Sequence, residues 1–271
     1  MAKIGPFEVG AQGFGAMGLS SSYGRAEDTE SLRTIHRAID LGITFFDTAS
    51  GYGDGHNERL LGRAIAGRRD RLIIASKFTH RPAGGALISA REAVEASLRR
   101  LKVDHIDLYY LHRVDPLVPI GQSVAELARL KEEGKIGAIG VSEADADQIR
   151  RAHAVAPLDA LQSEYSLWTR YVEAEVLPTV RELGIGFVAY SPLGRGFLAG
   201  NLPTEADDRR KVHPRFQEEA IAINARRRRI IEDVAERLYV TPAQVSLAWV
   251  LAKGVVPIPG TRSSTLLPGL E

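Results

Sequence analysis

The sequence predicts an α/β fold in which parallel strands alternate with helices, and three observations predict it. Eight short apolar segments follow one another along the chain, and some, such as Leu72–Ala75, are near-continuous, as in strands covered on both faces. Between them, apolar residues recur every three or four positions, which is helical spacing. The length of 271 residues, with 44% hydrophobic and 25% charged residues, suits one large globular domain.

The number of strand–helix units favours a closed barrel. Eight units close a parallel sheet into a TIM-type (β/α)8 barrel, and an open doubly wound sheet is the alternative. Because no linker divides the chain, we expect one barrel domain over residues 1–271. The candidate strands are Gly13–Gly18, Thr44–Asp47, Arg71–Lys77, Ile106–His112, Ile136–Val141, Ala160–Ser163, Gly186–Tyr190 and Gly254–Ile258.

The helical patterns complete the alternation. Thr241 and Pro242 predict one helix start, with Thr as N-cap and Pro at the first helical position. The stretch Leu193–Asn224 has no clear periodicity, and a loop of that length is usually functional. The other candidate helices are Glu30–Leu41, Ala90–Lys102, Val124–Glu133, Asp145–Val155, Val172–Leu183 and Arg226–Leu238.

The C-terminal stretch departs from a regular barrel. The eighth candidate strand ends near Pro259, and the remaining stretch, Gly260–Glu271, contains Pro268 and Gly269. A helix of normal length does not fit there, because Pro and Gly both disfavour helix interiors. We therefore expect the final helix of the barrel to be missing or rudimentary.

Composition excludes several classes of protein. Lys and Arg total 35 against 34 Asp and Glu, so the net charge of +1 gives no bulk attraction to nucleic acid or membranes. The absence of cysteine excludes disulfides and thiolate chemistry, and the histidines show no metal-binding spacing, so no metal is assigned. The run Arg226–Arg229 could suggest nucleic acid, but Glu232 and Asp233 follow it, which favours a solvated helix start. Without an apolar span or signal peptide, we expect a cytoplasmic protein.

Four polar residues fall at the same end of successive candidate strands. Asp47, Lys77 and His112 end the second, third and fourth strands, and Tyr52 lies in the loop after Asp47. Each alone has an ordinary structural explanation, such as a cap or a solvated charge. Because the carboxyl ends of barrel strands share one rim, the four together predict an active site.

A series of motifs surrounds these residues in a fixed order. The motifs are Gly42–Ala49 with Tyr52-Gly53, Ser76–Phe78, Ser97–Leu101, Asp104–His112, Gly140–Glu143, Leu161–Leu167, Ala189–Gly196 and Val256–Thr261. With them, the chain resembles the aldo-keto reductase family over nearly its whole length. The resemblance implies a (β/α)8 barrel that reduces aldehydes or ketones to alcohols with hydride from NADPH.

The resemblance implies a catalytic tetrad of Asp47, Tyr52, Lys77 and His112. Tyr52 would give a proton to the carbonyl oxygen, and His112 would orient that oxygen. An unperturbed tyrosine has a pKa near ~10. We expect the Lys77 ammonium, held by Asp47, to lower the pKa of Tyr52.

The resemblance also implies a cofactor site across the barrel mouth. Tyr190 would stack on the nicotinamide, and Ser142 and Gln162 would bind its carboxamide, close to Asp47. Gly13–Gly18 matches the G-x-G-x-x-G pattern of dinucleotide-binding folds, but no helix stripe opens there, so we interpret it as the first strand and its loop. The pyrophosphate would meet Ser191, Pro192, Leu193, Gly194, Arg195 and Gly196. The 2′-phosphate would meet Gly260, Thr261, Arg262 and Ser263. Gly15, Ala16 and Met17 would lie near the cofactor.

Substrate contacts are expected from Tyr23, Phe78, Arg113 and Trp168, with rim packing as the alternative for Trp168. The chain departs from the family in a short Phe78–Ile88 segment and in its last residues. There, Leu266 and Leu270 stand where relatives have Arg and Asn. Two further hypotheses follow, namely an oligomer that covers the altered C-terminal region and a cofactor-binding regulatory barrel with little turnover. Whether the protein is a monomer or a homo-oligomer is left open.

Overall fold

The computed structural model describes residues 2–20, 22–204 and 207–265. An antiparallel hairpin, β1 (Ala2–Ile4) and β2 (Phe7–Val9), precedes an eight-stranded parallel sheet. The strands of this sheet lie side by side in sequence order. They are β3 (Phe14–Gly15), β4 (Phe45–Asp47), β5 (Ile73–Phe78), β6 (Ile106–Leu111), β7 (Ile136–Ser142), β8 (Ala160–Glu164), β9 (Gly186–Tyr190) and β10 (Val256–Pro257).

Helices connect successive strands. Several begin with a side-chain cap, such as α3, where Ser89 and Glu92 form a capping box, and α8, where Thr241 and Gln244 do the same. The helices are α1 (Asp28–Asp40), α2 (His56–Ala64), α3 (Ala90–Leu101), α4 (Ile120–Glu132), α5 (Ala146–Val155), α6 (Val176–Glu182), α7 (Glu218–Leu238) and α8 (Pro242–Leu251).

Backbone hydrogen bonds join the first strand region to the last. The Gly13 N–H donates to the Pro257 carbonyl and the Gly15 N–H to the Pro259 carbonyl, both at 2.9 Å. These bonds close the sheet, so the predicted α/β barrel is confirmed. The expected missing or rudimentary last helix concerns Gly260–Glu271, of which residues 266–271 lie outside the described part of the chain.

Two apolar layers hold the barrel together. An inner layer fills the barrel with side chains such as Phe45 and Leu108, and an outer layer lies between the sheet and the helices. Ile4 and Val9 of the hairpin belong to the inner layer. The hairpin touches the chain where β7, β8 and β9 begin, through contacts at Gly137, Asp159 and Gly186. It therefore covers the amino-terminal end of the barrel, and the carboxyl end of the strands is the side on which a site can form.

Several elements differ from the sequence-based expectation. The hairpin and α2 were not predicted, and α7 begins at Glu218 rather than at Arg226. The arginine run therefore lies inside α7, where Arg228 pairs with Glu232 at 2.9 Å. The expected long loop contains three short 3₁₀ helices, Phe197–Ala199, Arg209–Val212 and Pro214–Phe216. Among the described helices, none is long and apolar enough to cross a membrane.

Candidate active site

A buried ion pair lies at the carboxyl end of β4 and β5. Lys77 Nζ donates a hydrogen bond to the Asp47 carboxylate and another, of 2.7 Å, to the Thr48 carbonyl oxygen. Gln162 Nε2 at the end of β8 donates to Asp47 Oδ2 at 2.8 Å. Both charged side chains are buried. Charges this deep are kept only when paired and hydrogen-bonded, so this pair fixes the centre of the site.

Burial and pairing act in opposite directions on the two charges. Burial raises the pKa of Asp47, and the Lys77 ammonium opposes that shift. Burial lowers the pKa of Lys77, and the Asp47 carboxylate opposes that shift in turn. Each group therefore depends on the other to remain charged.

Tyr52 and His112 lie against this pair. Lys77 Nζ is 5.2 Å from the centre of the Tyr52 ring. The rings of Tyr52 and His112 meet edge to face, with 5.8 Å between their centres. The backbone N–H of His112 donates to the Phe78 carbonyl at 2.7 Å, which holds the end of β6 beside β5. The structure thus brings together all four residues that the sequence singled out.

The protonation of Tyr52 and His112 is set mainly by burial. Burial raises the pKa of Tyr52 well above its usual value, Asp47 raises it further, and Arg113 and Arg195 lower it. This direction is opposite to the lowering that we expected from Lys77, whose ammonium lies over the ring. Burial, reinforced by Lys77 and Arg113, lowers the pKa of His112 well below its usual value. At neutral pH, Tyr52 therefore keeps its proton and His112 is uncharged.

Helix α2 begins directly after the Tyr52 loop and carries two buried polar side chains. Asn57 accepts a hydrogen bond from Thr48 Oγ1 at 2.6 Å and donates to the Ala16 carbonyl at 2.9 Å. Glu58 accepts one from Ser76 Oγ at 2.5 Å and is paired with Arg100. These bonds tie α2 to the residues on either side of Lys77 and Asp47.

The residues expected to bind the nicotinamide lie on adjacent strands. Ser142, which ends β7, is paired in register with Gln162 of β8, and Tyr190 ends β9. Ser142 and Gln162 are buried, and Tyr190 is half-buried. A loop with left-handed backbone follows, with φ of 50° at Ser191 and 57° at Arg195. The loop also contains Pro192, Leu193, Gly194 and Gly196.

Next to β9 around the barrel, the chain after β10 lies beside the loop after β3. Gly260 passes so close to Gly15 that a Cβ atom on Gly260 would lie 2.1 Å from the Gly15 carbonyl oxygen. Arg262 Nη1 donates to the Arg25 carbonyl at 2.8 Å, and the Ser264 N–H donates to Glu30 at 2.9 Å. Ala16 is buried, and Met17, Thr261 and Ser263 are half-buried in this region.

The four expected substrate residues fall in different environments. Phe78 is fully buried and packs on Tyr109 and His80, so it lies between the sheet and the helices rather than at the mouth. Trp168 packs 4.2 Å from the Phe197 ring, which agrees with the packing alternative. Tyr23 is half-buried, and the centre of its ring is 5.2 Å from the central guanidinium carbon of Arg210. Arg113 is exposed and follows His112 in the chain.

Sequence reasoning missed some residues around the site. The Thr48 carbonyl oxygen, a backbone atom with no sequence signal, accepts from Lys77. Arg210 is buried with Asp208 and donates to the Arg195 carbonyl at 2.8 Å, which fastens the loop after β9. Tyr110 fills the barrel below the ion pair, where its ring occupies the space that a side chain at position 140 would need. The sequence signal that could have indicated this packing is the glycine at position 140, which leaves room for the Tyr110 ring.

Known proteins resemble the chain along its length. A model of the aldo/keto reductase family matches residues 12–268. The chain is 48% identical over 271 residues to a probable aldo-keto reductase of Glycine max, covering 94% of this chain and 78% of that protein. Its structure is similar to that of a glycerol dehydrogenase from Gluconobacter oxydans, with a TM-score of 0.87, 30% identity, and coverage of 100% of this chain and 88% of the other.

A second solved structure is an aldo/keto reductase from Klebsiella pneumoniae in complex with NADP and acetate. It has a TM-score of 0.79 and 29% identity, over 100% of this chain and 89% of the other. The family match over most of the chain, the curated relative and the shared barrel agree with one another. The chain therefore belongs to the aldo/keto reductase family, a family of oxidoreductases.

Proposed function

We propose that the protein reduces aldehydes or ketones to alcohols with NADPH, and that Tyr52 donates the proton. The observation that carries this proposal is the buried Asp47–Lys77 pair, with Tyr52 and His112 beside it at the open end of the barrel. We also infer that residues 1–271 form one domain, since the sheet closes between its first and last strands.

The proposed roles follow from the protonation states. Carbonyl reduction needs a proton for the oxygen, and a tyrosine whose pKa is raised by burial holds that proton at neutral pH. A neutral His112 has one ring N–H, which can donate a hydrogen bond to the carbonyl oxygen and orient it. Lys77 supplies the positive charge that stabilises a developing phenolate, and Asp47 keeps Lys77 charged.

The groups at the mouth fit a nicotinamide dinucleotide. When bound, the cofactor supplies the hydride that no side chain can provide. Ser142 and Gln162 offer a hydroxyl and an amide for its carboxamide, beside Asp47, and Tyr190 offers a ring face for stacking. The left-handed loop at Ser191–Gly196 would meet the pyrophosphate with the Arg195 guanidinium and with the backbone N–H groups that are not bonded within the loop.

The adenosine end would meet the chain after β10. Gly260, Thr261, Arg262 and Ser263 would bind the 2′-phosphate, with Gly15, Ala16 and Met17 close by. A cation beside small residues favours the phosphate of NADPH over the bare ribose of NADH. The Klebsiella relative was crystallised with NADP, which supports the same cofactor here.

The test is to follow NADPH absorbance with an aromatic aldehyde in wild type and in Tyr52→Phe. We expect the variant to lose about 10²–10⁴-fold in kcat/KM, the usual contribution of a general acid. Tyr239→Phe is the matched control, because Tyr239 is 97% exposed, and it should behave as wild type. Activity that survives in Tyr52→Phe would refute the assignment of the proton donor. NADPH binding without turnover in wild type would instead favour a cofactor-binding barrel.

A further inference from the structure

Two arginines at the mouth have no carboxylate partner in the described part of the chain. Arg113 follows His112 at the end of β6, and its Nη1 donates to the His112 carbonyl at 2.6 Å and to Ser142 Oγ at 3.3 Å. Arg195 lies in the loop after β9, and its described hydrogen bond is made by its carbonyl oxygen, which accepts from Arg210. Within residues 2–20, 22–204 and 207–265, therefore, neither guanidinium is paired with a carboxylate.

The positive charges of these arginines act on the pKa values of residues at the site. Arg113 and Arg195 each lower the pKa of Tyr52 and of Tyr190, and Arg113 also lowers the pKa of Lys77 and of His112. The charge of Arg113 therefore acts on the place where a carbonyl would react.

The nearby carboxylates are occupied with other partners. Asp47 is paired with Lys77, and Glu164 is paired with Arg215 at 2.5 Å and bonded to Thr169 Oγ1. Glu143 accepts from the Tyr171 hydroxyl at 2.8 Å and from the Glu164 N–H at 2.9 Å. None of these three carboxylates contacts the guanidinium of Arg113 or of Arg195.

We propose that Arg113 selects carbonyl substrates that carry a carboxylate. The proposal rests on the proposed function, under which Arg195 serves the cofactor pyrophosphate and Arg113 remains for the substrate. The bond from Nη1 to the His112 carbonyl fixes the guanidinium next to the residue that would orient the carbonyl oxygen. In the described structure Nε and Nη2 of Arg113 make no hydrogen bond, and these two groups can bind a carboxylate in the bidentate manner typical of arginine.

The experiment compares two aldehydes that differ in charge at one position, namely 4-carboxybenzaldehyde and methyl 4-formylbenzoate. The quantity is the ratio of their kcat/KM values at constant ionic strength. We expect wild type to favour the carboxylate about tenfold or more, the usual size of a charge-assisted contact. Arg113→Gln should bring the ratio close to one, Arg113→Lys should retain part of the preference, and Arg113→Glu should favour the ester. Arg226→Gln, an exposed arginine on α7, is the control and should keep the wild-type ratio.

The outcomes separate the inference from the function on which it rests. Turnover of both aldehydes without a carboxylate preference would overturn the role of Arg113 and leave the reductase proposal standing. An equal loss for both aldehydes in Arg113→Gln, with an unchanged ratio, would show that Arg113 only supports the loop, which also overturns the inference. No turnover of either aldehyde by wild type would overturn both proposals together.

Discussion

At the scale of single residues, the proposed chemistry of the site depends on the positive charge of Lys77. Lys77 is fully buried, and two oxygens, from Asp47 and Thr48, accept its hydrogen bonds. Burial lowers the pKa of Lys77, and the Asp47 carboxylate is the strongest opposing influence. The lysine therefore stays charged because of a neighbour that contributes no chemistry of its own to carbonyl reduction.

Replacing Asp47 by Asn should remove both stability and activity. Without the carboxylate, burial lowers the pKa of Lys77 further, and a neutral lysine no longer stabilises a phenolate at Tyr52. We expect kcat/KM to fall at least ~10²-fold, as on loss of a general acid. Urea unfolding should show a loss of about 3–5 kcal/mol, as when one partner of a buried pair is removed.

A double variant separates the two effects. In Asp47→Asn combined with Lys77→Met, the uncompensated charge is gone, so the free energy of unfolding should recover relative to Asp47→Asn while activity stays low. Asp233→Asn, on the exposed face of α7, is the control for the Asp47 change. Wild-type activity in Asp47→Asn would contradict the role given to the pair.

The pH dependence of kcat/KM should lack the two usual inflections. His112 has a lowered pKa, so it is uncharged through pH 6.5 and gains a proton only in more acidic solution. Tyr52 has a raised pKa, so it keeps its proton through pH 10 and loses it only in more alkaline solution. Neither Tyr52 nor His112 should therefore cause an inflection in aldehyde reduction between these limits, as measured in mixed buffers of constant ionic strength. An acidic inflection near pH 6.5 that disappears in His112→Gln would show that the histidine titrates normally.

Helix α2 shows how a secondary-structure element holds the site in place. It follows directly after the Tyr52 loop, and its N-cap residue is Gly55, whose φ of 74° is left-handed. The Asn57 side chain joins α2 to Thr48 Oγ1, to the Ala16 carbonyl and to Ser20 Oγ, with distances between 2.6 and 2.9 Å. Since the Thr48 carbonyl accepts a hydrogen bond from Lys77, α2 helps to hold the lysine in place through Thr48.

Asn57→Ala should therefore lower both stability and activity, although Asn57 is not one of the proposed catalytic residues. The change leaves the Ala16 carbonyl and the Thr48 hydroxyl in a buried place without their partner, at a cost of about 1–3 kcal/mol for each unsatisfied group. We expect a lower free energy of unfolding together with a reduced kcat, measured by urea unfolding and aldehyde reduction. Asn224→Ala on α7 should change neither quantity. An Asn57→Ala variant as stable as wild type would mean that these bonds contribute little.

The same elements show what the sequence could and could not predict. The strands were predictable because buried parallel strands are continuous apolar runs, as in Ile73–Ala75. Helix α2 was not, because its buried face contains Asn57 and Glu58, which hide the apolar periodicity. Three-residue strands such as β1 are too short for any pattern to emerge.

The sequence predicted that the four tetrad residues lie together, and it misplaced Phe78. Asp47, Lys77 and His112 could be predicted to be neighbours because each lies at the carboxyl end of a strand, and parallel strands end at one rim. Phe78 was expected at the mouth but lies between the sheet and the helices. Side chains alternate along a strand, so once Lys77 points into the barrel, Phe78 must point away from it. Contacts that depend on a loop path, such as Arg210 with the Arg195 carbonyl, left no such signal.

The closure of the barrel is a property of the whole molecule. A sheet that joins its first strand to its last has no free edge, and here the junction brings two glycines together. A Cβ atom on Gly15 would lie 2.6 Å from the Ile258 carbonyl oxygen, and one on Gly260 would lie 2.1 Å from the Gly15 carbonyl oxygen. The backbones approach closely because neither residue has a side chain, and the proposed 2′-phosphate site at Arg262 follows directly after this junction.

Gly260→Ala should force this junction apart. The obstructing atom is a backbone oxygen and cannot rotate away, so the strands must shift, at about 1–3 kcal/mol for an overpacked site. We expect a lower urea midpoint and, because the shift moves Arg262, weaker NADPH binding by fluorescence titration. Gly10→Ala is the matched control, since its nearest neighbour would be 3.5 Å away, and it should match wild type in both measurements. If Gly260→Ala unfolds at the wild-type midpoint, the junction tolerates a methyl group, and closure cannot depend on the close approach of these glycines.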